Sequence, residues 1–205
     1  MEKIIYVTGN KGKKVDIKFK CEQLGLDVDF YDYDFEEPDV NDIEFISKSK
    51  ALKAYEILKN PCFVADSGFF IEAYPNNSNY PGAFVKRSGI SSNISKLLDD
   101  MKDVKNRNCK FVDCLTFYDG IKFCTFYGVS SGRLATEIRG TISEKIKSNL
   151  WFVFIPDNCL KTLAEMTDFE LKNRLDGRTS ATTQFLNWYK NEYLPQKNCK
   201  VYKKY

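Results

Sequence analysis

The sequence predicts a mixed α/β fold in which a strand–helix–strand opening leads, within one compact unit, to a long antiparallel hairpin. Three observations predict it. Ile4-Ile5-Tyr6-Val7 is a short apolar run followed by a Gly/Asn turn, a basic helical stretch and a second short apolar run, the spacing of a βαβ unit. Two long runs rich in Phe, Val, Thr, Cys and Tyr, over 110–118 and 122–134, meet at Asp119-Gly120, a strong hairpin signal. Helical periodicity returns towards the C-terminus. No repeat or linker interrupts the 205 residues, so 1–195 are expected to form a single unit of two lobes and 196–205 a basic, aperiodic tail.

The elements follow in order. Residues 3–8 read as a buried strand, and 13–24 as a helix with Val15, Ile17, Phe19, Cys21 and Leu24 partly on one face, closed by Gly25. Val28 to Tyr31 is the second strand, and Asp32 to Asp42 an acidic connection carrying Glu36 and Glu37. Ile43, Ile46, Ala51, Ala54, Tyr55 and Leu58 recur at helical spacing over 42–58, with Asp42 as N-cap. Cys62 to Ala65 is a strand expected to end in a turn at Asp66-Ser67-Gly68. Residues 74–82 read as a loop, 90–101 as a short helix, 150–155 as an apolar segment, and 167–173 and 179–193 as helices.

Composition narrows the function. Lys and Arg total 31 against 28 Asp and Glu, for a net charge of +3, too balanced for a nucleic-acid binder working through a broad positive field. No apolar run is long enough to cross a membrane, so a cytoplasmic protein without a membrane partner is expected. Seven cysteines without CxxC spacing read as reduced thiols, with no metal or disulfide assigned to them. There is no histidine, which removes the usual general base and the commonest zinc ligand. Catalysis must run on carboxylates, lysines, hydroxyls, thiols or an oxygen-ligated metal.

The turn Thr8-Gly9-Asn10-Lys11-Gly12-Lys13-Lys14 offers flexible glycines expected to permit φ > 0, helix-opening amides and several cations, all suited to phosphate. Ordinary loop chemistry has the same composition. Asp66, after an apolar strand, is placed to hold a divalent cation or deprotonate water, or else to cap a turn. Glu37 can reach the same sheet edge, and Mg2+ suits oxygen ligands and substrate phosphates. Lys13, Lys50, Lys86, Lys172 and Arg178 are candidate cations for a departing phosphate. Phe84, Trp151, Phe152 and Phe154 are candidates to stack on a base, or core residues.

Several motifs in order along the chain carry a resemblance: Thr8-Gly9-Asn10-Lys11-Gly12-Lys13, Lys50-Ala51, Val64-Ala65-Asp66-Ser67-Gly68, Tyr80-Pro81-Gly82-Ala83-Phe84-Val85-Lys86, Ile138-Arg139-Gly140, Phe154-Ile155-Pro156, Thr162-Leu163-Ala164-Glu165-Met166 and Lys172-Asn173-Arg174. In these the chain resembles the inosine triphosphate pyrophosphatase family, the house-cleaning nucleoside triphosphate pyrophosphatases. The resemblance implies an elongated, twisted mixed sheet with two lobes around a central cleft, usually in a homodimer. It also implies magnesium-dependent hydrolysis of deaminated purine nucleoside triphosphates, ribo or deoxy, to the monophosphate and pyrophosphate. By position, Thr8, Asn10 and Lys13 correspond to triphosphate contacts, and Lys50 and Lys86 to further phosphate or cleft contacts. Asp66 corresponds to the catalytic, metal-associated acid with Ser67 and Gly68 beside it, Glu37 to a metal ligand, and Lys172 and Arg178 to the base and phosphate pocket.

The chain departs from the family pattern at three places. Ala65 stands where most members have a first acid before Asp66, and Asp176-Gly177-Arg178 replaces the usual Ser-His-Arg. Ser148-Asn149-Leu150-Trp151-Phe152 replaces the Phe-Gly-aromatic-Asp-Pro element. Asp176 could accept from a base amino group, giving an altered base preference. A catalytically impaired nucleotide-binding or dimeric scaffold protein is the alternative reading.

Overall fold

The computed structural model describes residues 3–176 and 180–197, the side chains at 172 and 174–176 excepted. A seven-stranded mixed sheet organises it, in the order β2-β1-β3-β5-β6-β7 with β4 added to β3. The strands are β1 (Ile4–Val7), β2 (Val28–Tyr31), β3 (Cys62–Ile71), β4 (Tyr80–Gly82), β5 (Asn108–Tyr118), β6 (Phe123–Leu134) and β7 (Phe154–Pro156). β1 runs parallel to β2 and β3, and the other pairs are antiparallel. The expected βαβ opening is present, with α1 (Lys11–Leu24) as its crossover. The hairpin turns at Asp119-Gly120, where Gly120 has φ +89° and the Asp119 carboxylate accepts from the amides of Ile121 and Lys122. The other helices are α2 (Ile43–Leu58), α3 (Ile94–Asp100), α4 (Asp168–Asp176) and α5 (Ala181–Trp188).

Two sequence expectations need correction here. Asp66-Ser67-Gly68 is not a turn: β3 runs straight through it for ten residues, in antiparallel register with β5 from Cys62↔Tyr118 to Ile71↔Cys109. Gly68 earns its place by packing rather than by turning, since a Cβ there would sit 2.7 Å from the Phe70 ring and 2.9 Å from the Gly82 carbonyl oxygen. Gly68→Ala is therefore expected to force β4 from β3 and destabilise the fold by about 1–3 kcal/mol; an unchanged denaturant midpoint would contradict this packing role. The Asn/Pro-rich stretch before Gly82, read as loop, ends in the strand β4. It tolerates Pro81 because it lies at the sheet edge.

The two ends of β3 belong to different cores. Phe69 and Ile71 pack with Leu97, Met101, Leu134, Leu150 and Phe154. Phe63 packs with Ile4, Tyr6, Ile17, Leu115, Phe117 and Phe185, its ring stacked on Tyr6 with centroids 4.4 Å apart. On the opposite face, Cys62 and Val64 meet Ala51 and Ala54 of α2. β1 pairs with β3 only at Cys62 and Phe63, and β4 only at Phe69 to Ile71. Between them, residues 64–68 have a sheet partner on the β5 side alone. This gap holds Asp66.

Candidate active site

Two helix N-termini flank the gap. Asn10 caps α1, its Oδ1 accepting from the Lys13 amide at 3.0 Å, while Thr8 Oγ1 accepts from the Asn10 amide at 3.2 Å. Neither Gly9 nor Gly12 has φ > 0, contrary to expectation; a Cβ at Gly9 would meet nothing within 4 Å, leaving the backbone open to a ligand. Lys14 is engaged with Asp32, but Lys13 turns inward and its Nζ donates to the Ala65 carbonyl at 2.7 Å, on the open edge of β3. Burial lowers the Lys13 pKa, with the Asp66 and Asp113 carboxylates opposing the shift. An ammonium held this way gains strongly from an arriving anion.

α2 delivers the central lysine. Asp42 caps it through bonds from the Glu44 and Phe45 amides at 2.9 and 3.0 Å, and its buried face is Ile46, Ser47, Lys50, Ala51 and Ala54. Lys50 is a cation on an otherwise small and apolar stripe, its side chain 11% exposed, so its ammonium must find partners on β3. It bridges two carboxylates, donating to Asp66 Oδ1 at 2.5 Å and Glu37 Oε1 at 2.7 Å. Burial opposes its charge, but Asp66 and then Glu37 outweigh burial, holding Lys50 above the ordinary lysine range. The other oxygen, Asp66 Oδ2, is buried without a hydrogen-bond partner among the described residues. Native structures seldom tolerate such an orphan unless it serves a ligand, ion or water.

A cavity of about 450 Å³ opens over these groups, lined by Asn10, Glu37, Asp66, Ser67, Lys86 and Lys147 among others. Lys86 reaches the cavity from the loop after β4. Asn41 ties that loop to the acidic connection, its Oδ1 accepting from the Ala83 amide at 2.7 Å. Among the described residues no group of three or more His, Cys, Asp or Glu could hold a metal by itself. Glu37 and Asp66 are a two-carboxylate set, which suits a cation that takes its remaining ligands from substrate phosphates and water.

Two of the four aromatics take the core alternative. Phe152, 9% exposed, and Phe154, fully buried, belong to the core, and Trp151 is half-buried against it. The cause is the 3-10 turn Asn149–Phe152, which drives Leu150 and Phe152 inward, so neither Trp151 nor Phe152 lines the cavity. Lys172 and Asp176 lie on α4 with side chains outside those described, and Arg178 lies outside the described residues altogether. Two nearby charges were missed. Asp113 on β5 accepts from Ser67 Oγ at 2.6 Å, and its being the only acid in the run 110–118 was a usable signal. Lys147 belongs to no motif, and nothing local predicted it.

Likeness to known proteins runs the length of this arrangement. The model of the Ham1 family matches residues 4–188. The chain belongs to the Ham1 family. A dITP/XTP pyrophosphatase of Saccharolobus solfataricus is 35% identical over 190 residues, covering 89% of this chain and 91% of its own. One from Thermococcus kodakarensis is 31% identical over 188 residues, covering 92% and 97%. Among solved structures, a HAM1 protein from Coxiella burnetii superposes with a TM-score of 0.73 at 23% identity, covering 89% of this chain and 96% of that one. The last likeness shows the fold, and the mixed twisted sheet with flanking helices is the Ham1 architecture. The resemblance to inosine triphosphate pyrophosphatases is borne out.

Proposed function

We propose that this Ham1 chain hydrolyses non-canonical purine nucleoside triphosphates to the monophosphate and pyrophosphate, with the triphosphate lying over the gap in β3. The observation that carries the reading is Asp66: one oxygen fixed by Lys50, the other buried, unpartnered and beside the cavity. The names of the curated relatives supply the substrate class, dITP and XTP. Asn10, Thr8 and Lys13 at the start of α1, with Lys86 across the cavity, are the anion-binding groups. Glu37 and Asp66 would hold a divalent cation, assigned here as magnesium, which would offset phosphate charge and polarise the reacting phosphorus. Asp66 Oδ2 is positioned to orient a water and take its proton as the water oxygen bonds to the α-phosphorus. The bond to the α–β bridging oxygen breaks, and the departing pyrophosphate carries that oxygen away towards the lysines. Ala65 does not remove this acid; it removes only a neighbour.

Residues 1–195 are read as one unit of two lobes, one at each end of β3, with the nucleotide between them. Of the tail at 196–205, residues 198–205 lie outside those described. A homodimer, which rests on the family resemblance, and a cytoplasmic location, expected from the composition, complete the reading; no described helix is long and apolar enough to cross a membrane. The deciding experiment measures pyrophosphate release from inosine, xanthosine and the standard nucleoside triphosphates, with magnesium and then with excess chelator. Release from the inosine and xanthosine compounds, lost on chelation and regained with magnesium, is expected. Binding without turnover in every case would favour the impaired, scaffold-like alternative.

A further inference from the structure

The cavity contains one cation that neither the motifs nor the phosphate end accounts for. Lys147 lines it, and its ammonium is paired with Asp16 of α1. Its backbone position is fixed by the residues that follow. Ser148 caps the 3-10 turn that follows, Leu150 within that turn is fully buried, and Asn149 Nδ2 donates to the Ser91 carbonyl at 2.9 Å, on the loop that forms the same cavity wall. Asp16 lies six residues beyond the N-cap Asn10, about 9 Å along the helix at the usual rise. A nucleotide with phosphates at the start of α1 and its length along that helix therefore brings its base to Asp16 and Lys147. Lys20, one turn further and bonded to Ser180 Oγ at 3.1 Å, senses both charges and closes this end.

Building on the pyrophosphatase reading, we infer that Lys147 is a specificity-determining residue that donates to the 6-keto oxygen of the purine, exchanging part of its pairing with Asp16 for that contact. An ammonium has three donors and no acceptor, so it matches the keto oxygen of hypoxanthine, xanthine or guanine and opposes the amino group of adenine. In the segment Ser148 to Phe152 that follows Lys147, the large side chains of Leu150 and Phe152 have gone to the core. The lysine just before it is left facing the space.

The test compares wild type, Lys147→Met and Lys147→Arg on inosine, xanthosine, guanosine and adenosine triphosphates, using kcat/KM, or the competitive inhibition constant where turnover is slow. Lys147→Met is expected to lower the three 6-keto substrates by about tenfold to a hundredfold while leaving adenosine triphosphate unchanged or improved, and Lys147→Arg to restore most of the difference. An equal fall for all four would make Lys147 a phosphate contact and overturn the inference, as would no change for any. In both of those outcomes the wild type still releases pyrophosphate, so the pyrophosphatase reading stands. Wild type that turns over none of the four would overturn the reading and the inference together.

Discussion

Asp66→Asn is expected to reduce kcat for pyrophosphate release by about a thousandfold, within the range that positioned general bases contribute, while KM changes far less. The substitution keeps the shape of the side chain and an acceptor for Lys50, which now donates to Asp66 Oδ1 at 2.5 Å. It removes the negative charge and turns the unpartnered Oδ2 from an acceptor into a donor. An amide cannot take a proton from water and is a poor ligand for a hard cation. Because β3 is held through this point by unbroken pairing with β5, the thermal midpoint should stay close to that of the wild type. Steady-state kinetics with saturating magnesium, set beside a melting curve, separate the chemical effect from a folding one. A kcat within tenfold of the wild type would mean that the proton goes elsewhere.

Lys50→Met is expected to lower both activity and stability, and the two losses should respond differently to magnesium. The ammonium now neutralises Asp66 and Glu37 together, and without it the two carboxylates face each other with no cation between them, Lys13 being held by the Ala65 carbonyl. Leaving one member of a mostly buried ion pair unpaired costs about 3–5 kcal/mol; Glu37 is half exposed here, so about 2–3 kcal/mol is expected in metal-free buffer. A divalent cation can take the vacated place, so magnesium should raise the melting temperature of the variant more than that of the wild type. Activity should remain at least about a hundredfold down, since a metal drawn to the lysine's position is misplaced for the phosphates. Equal metal-free stability of the two proteins would show that Lys50 is not the counter-ion of this pair.

Much of the start of α1 and of α2 was legible because its signals are local. A Gly/Asn turn after an apolar run, Asn10 three residues before Lys13, and Asp42 before the periodic run of α2 all announce themselves within a few positions, and the structure uses each of them. Lys50 was legible only through its motif, although a lysine on the Ile46–Ala54 face already implies a buried counter-charge. The misread turn at Asp66-Ser67-Gly68 shows where local reading fails. Ser and Gly are turn residues by propensity, and only the pairing with Val112 and Asp113 on a strand more than 40 residues away holds them extended. Phe152 was undecided for the opposite reason: aromatics suit both a base and a core, and the 3-10 turn at 149–152 put it in the core. The Asp16–Lys147 pair joins positions 131 residues apart, and no periodicity reports such a contact.

β3, paired along its whole length with β5, serves two cores with one continuous backbone. The two cores are thus joined by a stretch of hydrogen-bonded ladder rather than by a loop. Asp66 stands in the middle of that ladder, opposite Cys114 and between the two cores, so its backbone cannot shift without disturbing the pairing that joins them.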